Sequence, residues 1–249
     1  QDAESWAYFL PAADPVPPGE RVTQTFQMRS VYTNYLFTGG EALRLRMNDR
    51  VALRLNDMRA LHVREVLGPT LDYTLDTIVP QLEPDELIGR GKDYPQELST
   101  YLSLPFPALT DMRALGDAGM TDETLWRESA APLTREAEDW EWADLYALNE
   151  DIVQGATDPY EVTLRIEKHL RQDYDYSLTP PGSEYASPYA AFLFDTRSGY
   201  CQHFAGSMAL LLRFNGIPAR VAVGFTSGDE DPENVYTVST GNAHAWVEV

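Results

Sequence analysis

Cys201 is the only cysteine among 249 residues, and it sits in the run Ser198-Gly199-Tyr200-Cys201-Gln202-His203-Phe204-Ala205. Forty-three positions later comes His244, within Asn242-Ala243-His244-Ala245-Trp246-Val247-Glu248-Val249. A thiol and an imidazole carried by two rigid elements are the minimal parts of a thiol acyl-transfer site. The attacking species is the thiolate, and a free cysteine near pKa 8.5 is mostly protonated at neutral pH. Two features would favour the anion: the backbone N–H groups at a helix N-terminus, and an adjacent imidazole able to take up the proton. The competing reading, a buried cysteine acting as a small hydrophobe, explains neither the glycine-containing turn before it nor the histidine that follows.

The other polar residues fall into lesser roles. His203 lies two residues beyond Cys201 on the same expected helix, rotated by about 200°, and should point away from the thiol. His62 lies in a strand-rich region with no helix-borne nucleophile nearby in sequence, and His169 shares an apolar helix face with Val162, Ile166 and Leu170 and reads as structural. An acyl-transfer site also needs donors for an oxyanion. The Cys201 N–H is one, and Tyr174, Tyr176 and Gln202 are candidates for oxyanion or substrate contacts. Both tyrosines read more readily as packing residues. A third group usually orients the imidazole. The only acid after His244 is Glu248, roughly 13 Å along the same strand face, so the orienting group is expected beyond Val249. Four dispersed histidines offer no recognisable zinc spacing, and no cofactor or metal is expected.

These residues need elements to hold them. Phe204, Ala205, Met208, Leu211 and Leu212 predict a helix starting at Cys201, ended by Asn215-Gly216-Ile217-Pro218. Arg220 to Phe225 and Val235 to Val238 read as strands, Asp229 to Asn234 as an acidic loop, and His244 as opening a further strand. Upstream, Thr157-Asp158-Pro159 is a helix start. Tyr174 and Tyr176 alternate in a short extended segment, and Pro188 to Phe194 reads as a short helix. Residues 20 to 80 alternate with period 2, as in Leu43, Leu45 and Met47 and again in Val51, Leu53 and Leu55. Turns are expected at Gly39-Gly40 and Asn48-Asp49. Residues 80 to 150 form a connector rich in proline and acid, with Pro105 and Pro107 around Phe106. A helix start is expected near Asp122 or Thr134, and Trp140 and Trp142 belong to a solvated acidic helix face.

Composition sets the outer bounds. An apolar fraction of 43% supports a packed core, and the net charge is −20. Such an acidic surface argues against nucleic acid and anionic lipid headgroups as partners. One cysteine excludes an intrachain disulfide framework. No run approaches the roughly 18–20 apolar residues that span a bilayer, and the ends read as those of a fragment of something longer.

Taken together, Gly199-Tyr200-Cys201, Phe204-Ala205, Leu211-Leu212-Arg213, Gly216-Ile217-Pro218-Ala219-Arg220-Val221, Gly224-Phe225 and Ala243-His244-Ala245-Trp246-Val247-Glu248-Val249 resemble the bacterial transglutaminase-like superfamily. Tyr101-Leu102-Ser103-Leu104-Pro105 and the Tyr160-Glu161 helix resemble one branch of it, membrane proteins with an extracytoplasmic domain of this kind. The resemblance implies an α+β, papain-like core, with a nucleophile helix packed on an antiparallel sheet and a Cys-His-Asp triad. It assigns Cys201 as nucleophile and His244 as base; the aspartate, expected on the next strand, is not in this chain. The expected division is a β-rich accessory region over 1–100, an acidic, partly helical connector over 101–156, and a transglutaminase-like core over 157–249, truncated at its C-terminal end. The implied activity is acyl transfer or hydrolysis on a protein or peptide amide at the cell envelope, with membrane attachment through segments absent from this chain. The alternative is a non-catalytic envelope module that binds protein through the same cleft.

Overall fold

A computed structural model describes residues 6–13, 16–56, 59–104, 137–185 and 187–249. The chain is α+β and divides into two compact units, Gln1–Leu87 and Ile88–Val249. The prolines around Phe106 and the helix starts expected near Asp122 and Thr134 lie outside the described residues, as does the side chain of Trp140.

The first unit is built of strands, as period-2 patterning requires. They are β1 (Trp6–Phe9), β2 (Gly19–Arg29), β3 (Thr33–Leu36), β4 (Glu41–Met47), β5 (Leu53–Leu55), β6 (Leu61–Leu67) and β7 (Thr70–Pro80). Four form an antiparallel sheet in the order β1-β4-β7-β2, and three form a second in the order β3-β6-β5. Leu45 lies opposite Leu75, and both are fully buried. Leu61 and Val63 from the smaller sheet join the same apolar cluster, so the inward faces of both sheets share one core. His62 is held by the Asn34 amide at 2.9 Å. On the outward face Asp76 accepts from Thr23, Arg44 and Arg46.

The second unit is helical at its centre. Helix α1 (Ala137–Val153) and helix α2 (Pro159–Asp173) pack with the central helix α4 (Cys201–Phe214). Asp158 caps α2 by accepting from the Tyr160 and Glu161 amides, with Pro159 in the first turn. Its inward stripe is Val162, Ile166 and Leu170, all buried. Trp142, read from the sequence as part of a solvated face, instead packs against the core. After α2 comes a two-residue strand, β8 (Asp175–Tyr176), then a short helix α3 (Pro188–Ala190) that runs into a π-helical turn over Ala191–Thr196. Arg197 leaves that turn in the left-handed region, at φ 45°. The chain then forms β9 (Ser198–Gly199), which pairs in parallel with β8, setting Tyr176 opposite Gly199.

Helix α4 is buried on most sides, with Leu211 and Leu212 fully enclosed. Its end follows the sequence signal: Gly216 adopts φ 67°, its N–H bonds the Arg213 carbonyl, and the Ile217 N–H bonds the Leu212 carbonyl. That pair of bonds satisfies carbonyls the helix leaves open. The strand β10 (Arg220–Phe225) pairs antiparallel with β13 (Ala243–Glu248). The acidic loop and the strand expected near residues 229–238 resolve into a small separate hairpin of β11 (Asp229–Glu230) and β12 (Tyr236–Thr237). No helix among the described residues is long and apolar enough to cross a membrane.

Candidate active site

The chain turns sharply just before the thiol. A Cβ on Gly199 would stand 2.8 Å from His203 Cβ and 3.0 Å from Phe192 Cδ2, so only glycine fits between the π-helical turn and α4. Tyr200 is the N-cap, and its N–H donates to His203 Nδ1 at 3.3 Å. His203 thus turns back onto the cap, ring to ring with Tyr200 at 4.3 Å and against Phe192. Burial holds its pKa below the ordinary histidine value. It serves the turn, as its helical phase predicts.

Cys201 is the first residue of α4 and is half-buried. Its N–H lies in the first helical turn, where amides have no intrahelical acceptor and the helix dipole favours negative charge. His244 is the second residue of β13, half-buried, and opposite Gly224 in the β10 pairing. Because β13 packs on α4, Cys201 and His244 line one cavity of 410 Å³ with Arg171, Tyr174, Tyr176, Phe204 and Ala245. The cavity therefore unites a thiol, an imidazole and two phenols from four separate elements and junctions.

The two tyrosines differ sharply. Tyr174 is buried, and its hydroxyl donates to the Leu193 carbonyl at 3.1 Å and lies 3.4 Å from His169 Nε2. His169 Nδ1 in turn lies 2.8 Å from Asp173, and Arg197 stacks on the Tyr174 ring. Tyr174 presents ring rather than hydroxyl chemistry to the cavity. Tyr176 is 57% exposed, stacks on Phe204, and makes no hydrogen bond through its hydroxyl among the described residues. Gln202 is exposed and does not line the cavity.

No Asp or Glu is among the lining residues. Glu248 is held by Arg220, directly opposite it in the β10–β13 ladder, at 2.5 Å. Arg220 is itself fixed by the Tyr101 hydroxyl at 3.2 Å, and the Tyr101 carbonyl accepts from the Ala219 N–H. This is why the Tyr101 segment belongs with the core: it clamps the start of β10. Arg171 is the lining residue that sequence reasoning did not single out. Its signal was present, since it lies one helical turn beyond Glu167 near the end of the α2 stripe. Among the described residues no three His, Cys, Asp or Glu side chains are grouped to hold a metal ion.

Residues 146–249 match the profile of the transglutaminase-like superfamily. Over 138 residues the chain is 36% identical to a protein-glutamine gamma-glutamyltransferase of Pseudomonas aeruginosa, covering 55% of this chain and 20% of that protein. Over 63 residues it is 48% identical to the uncharacterized protein YebA of Bacillus subtilis, covering 23% of this chain and 8% of that protein. The chain thus spans a fifth or less of the length of these relatives. The fold is similar to the periplasmic domain of TgpA from Pseudomonas aeruginosa, with TM-score 0.62 at 24% identity over 93% of this chain and 66% of that one. The same domain bound to ethylmercury gives TM-score 0.61. Residues 146–249, which contain both Cys201 and His244, are thus the part of the chain that is similar to the transglutaminase-like superfamily.

Proposed function

We propose that this chain carries a thiol-dependent acyl-transfer site acting on glutamine-like carboxamides of proteins or peptides, with Cys201 as nucleophile and His244 as general base and acid. The observation that carries the reading is the opening of Cys201 and His244 onto one cavity from a helix N-terminus and a strand packed against it. His244 takes the thiol proton as Cys201 Sγ bonds to the carboxamide carbon. The carbonyl electron pair moves to oxygen, facing the Cys201 N–H and the Tyr176 hydroxyl. Collapse breaks the C–N bond, and His244 returns the proton to the departing ammonia. An amine then attacks the thioester, its proton passing to His244 as the C–S bond breaks; water in its place gives hydrolysis. The naming of the Pseudomonas relative as a protein-glutamine gamma-glutamyltransferase supports a protein substrate. The likeness to a periplasmic domain supports an extracytoplasmic setting.

The test compares wild type with Cys201→Ala for ammonia release, amine incorporation and peptide cleavage on one glutamine-containing peptide. Wild type should release ammonia and the variant should not; equal rates would sink the mechanism. Alkylation by iodoacetamide from about pH 5 to about pH 8 tests activation of the thiol. Cys201 should react faster than a free thiol at the acid end, and His244→Ala should remove that advantage.

A further inference from the structure

Apart from the titratable thiol, phenols and imidazole, the cavity lining holds one charged group, Arg171. It comes from the last turn of α2, where the helix C-terminus favours a cation. The same cavity is lined by the stacked rings of Tyr176 and Phe204. A guanidinium with no carboxylate in the cavity lining leaves a place for a substrate carboxylate, which it can grip through paired N–H donors. The protein as a whole carries a net charge of −20, so an anionic substrate finds little attraction elsewhere.

Arg171 is not locked. Its side chain is 76% exposed, and its partner Glu167 lies one turn back on the same helix, at 3.0 Å. Exposed pairs of this spacing are weak, so a carboxylate entering the cavity can replace Glu167 without breaking packed structure. We infer that Arg171 is a specificity residue that selects acyl donors bearing a carboxylate next to the reactive carboxamide, such as a glutamine flanked by aspartate. This rests on the acyl-transfer reading for the purpose of the contact. The contact itself belongs to binding and can be measured without turnover.

The experiment uses the full chain with Cys201→Ala and measures Kd for three otherwise identical peptides whose single glutamine is flanked by Asp, Asn or Lys. The Asp peptide should bind about fivefold more tightly than the Asn peptide, the scale of one partly exposed ion pair, and the Lys peptide most weakly. Adding Arg171→Gln should bring the Asp-to-Asn ratio to near one, and Arg171→Lys should keep part of it. The inference is overturned by absent binding of the Asp peptide, by an unchanged ratio in Arg171→Gln, or by a ratio in Arg171→Lys no higher than in Arg171→Gln. Selective binding in Cys201→Ala beside a wild type that releases no ammonia would sink the acyl-transfer reading and leave Arg171 standing.

Discussion

At the scale of single residues, the two cavity tyrosines separate catalysis from stability. The Tyr176 hydroxyl has no partner among the described residues, so Tyr176→Phe should leave folding stability unchanged. In an oxyanion role its loss should lower kcat by about 10²-fold; an unchanged kcat in steady-state ammonia release would remove it from the reaction. Tyr174→Phe should act the opposite way, costing about 1 kcal/mol in denaturant unfolding because the Leu193 carbonyl loses its donor. The histidines set a pH dependence. Burial is the main cause lowering the pKa of His169, aided by Arg197 and opposed by Asp173, and burial likewise lowers that of His203. The unfolded chain therefore takes up protons near the ordinary value of 6.5, while the folded one holds out to lower pH. Between those points the unfolded state binds more protons, so stability falls as the solution is acidified through that window. Denaturation midpoints measured across it should fall, and the combined change of His169 and His203 to Gln should flatten the slope. Cys201 and His244 stood out as candidates in the sequence because each type carries its own chemistry. The difference between Tyr174 and Tyr176 was not, because it depends on the Leu193 carbonyl, nineteen positions away in the chain.

At the scale of elements, the site depends on a turn and a helix. Gly199→Ala puts a methyl against His203 and Phe192, displacing the turn that leads to the thiol. It should destabilise the fold by about 1–3 kcal/mol and slow Cys201 alkylation more than a remote core change does. Leu211→Ala, in the fully buried middle of α4, serves as that remote change and should cost about 2–5 kcal/mol in equilibrium unfolding. Helices α2 and α4 were legible because each combines an apolar stripe with end signals: Asp158-Pro159 for one, Asn215-Gly216 for the other. The π-helical turn and the strand β9 were not, nor was the partner of the extended segment that holds Tyr176. Two residues are too few for any periodicity, and their pairing joins Asp175–Tyr176 to Ser198–Gly199, a match only the folded chain makes. Trp142 misled for a related reason: acidic neighbours suggested solvent, but the indole packs on the core.

At the scale of the whole molecule, the net charge of −20 should bias the second half of the proposed reaction. A cationic amine is drawn toward an acidic protein by a field that salt screens over about 10 Å at 0.1 M. The KM for a diamine acceptor should therefore rise with ionic strength, while that for a neutral-bodied amine of equal length stays flat; parallel responses would show that the field plays no part. The broad α+β class and the strand-rich first unit were legible from patterning alone, since alternation over seven residues in β4 leaves few other solutions. The shared core of its two sheets was not, because nothing in Leu45 names Leu61 as a neighbour. The parallel pairing of β8 with β9 has a bearing on motion as well as position. The Asp175 N–H bonds the Arg197 carbonyl at 2.9 Å and the Ser177 N–H bonds the Gly199 carbonyl at 2.8 Å. These two bonds tie the Tyr176 segment to the approach to Cys201, so exchange of either amide with deuterated solvent follows the parting of β8 from β9. Their deuterium uptake is a clock for that opening, and a covalent adduct on Cys201 that bridges the two segments should slow it.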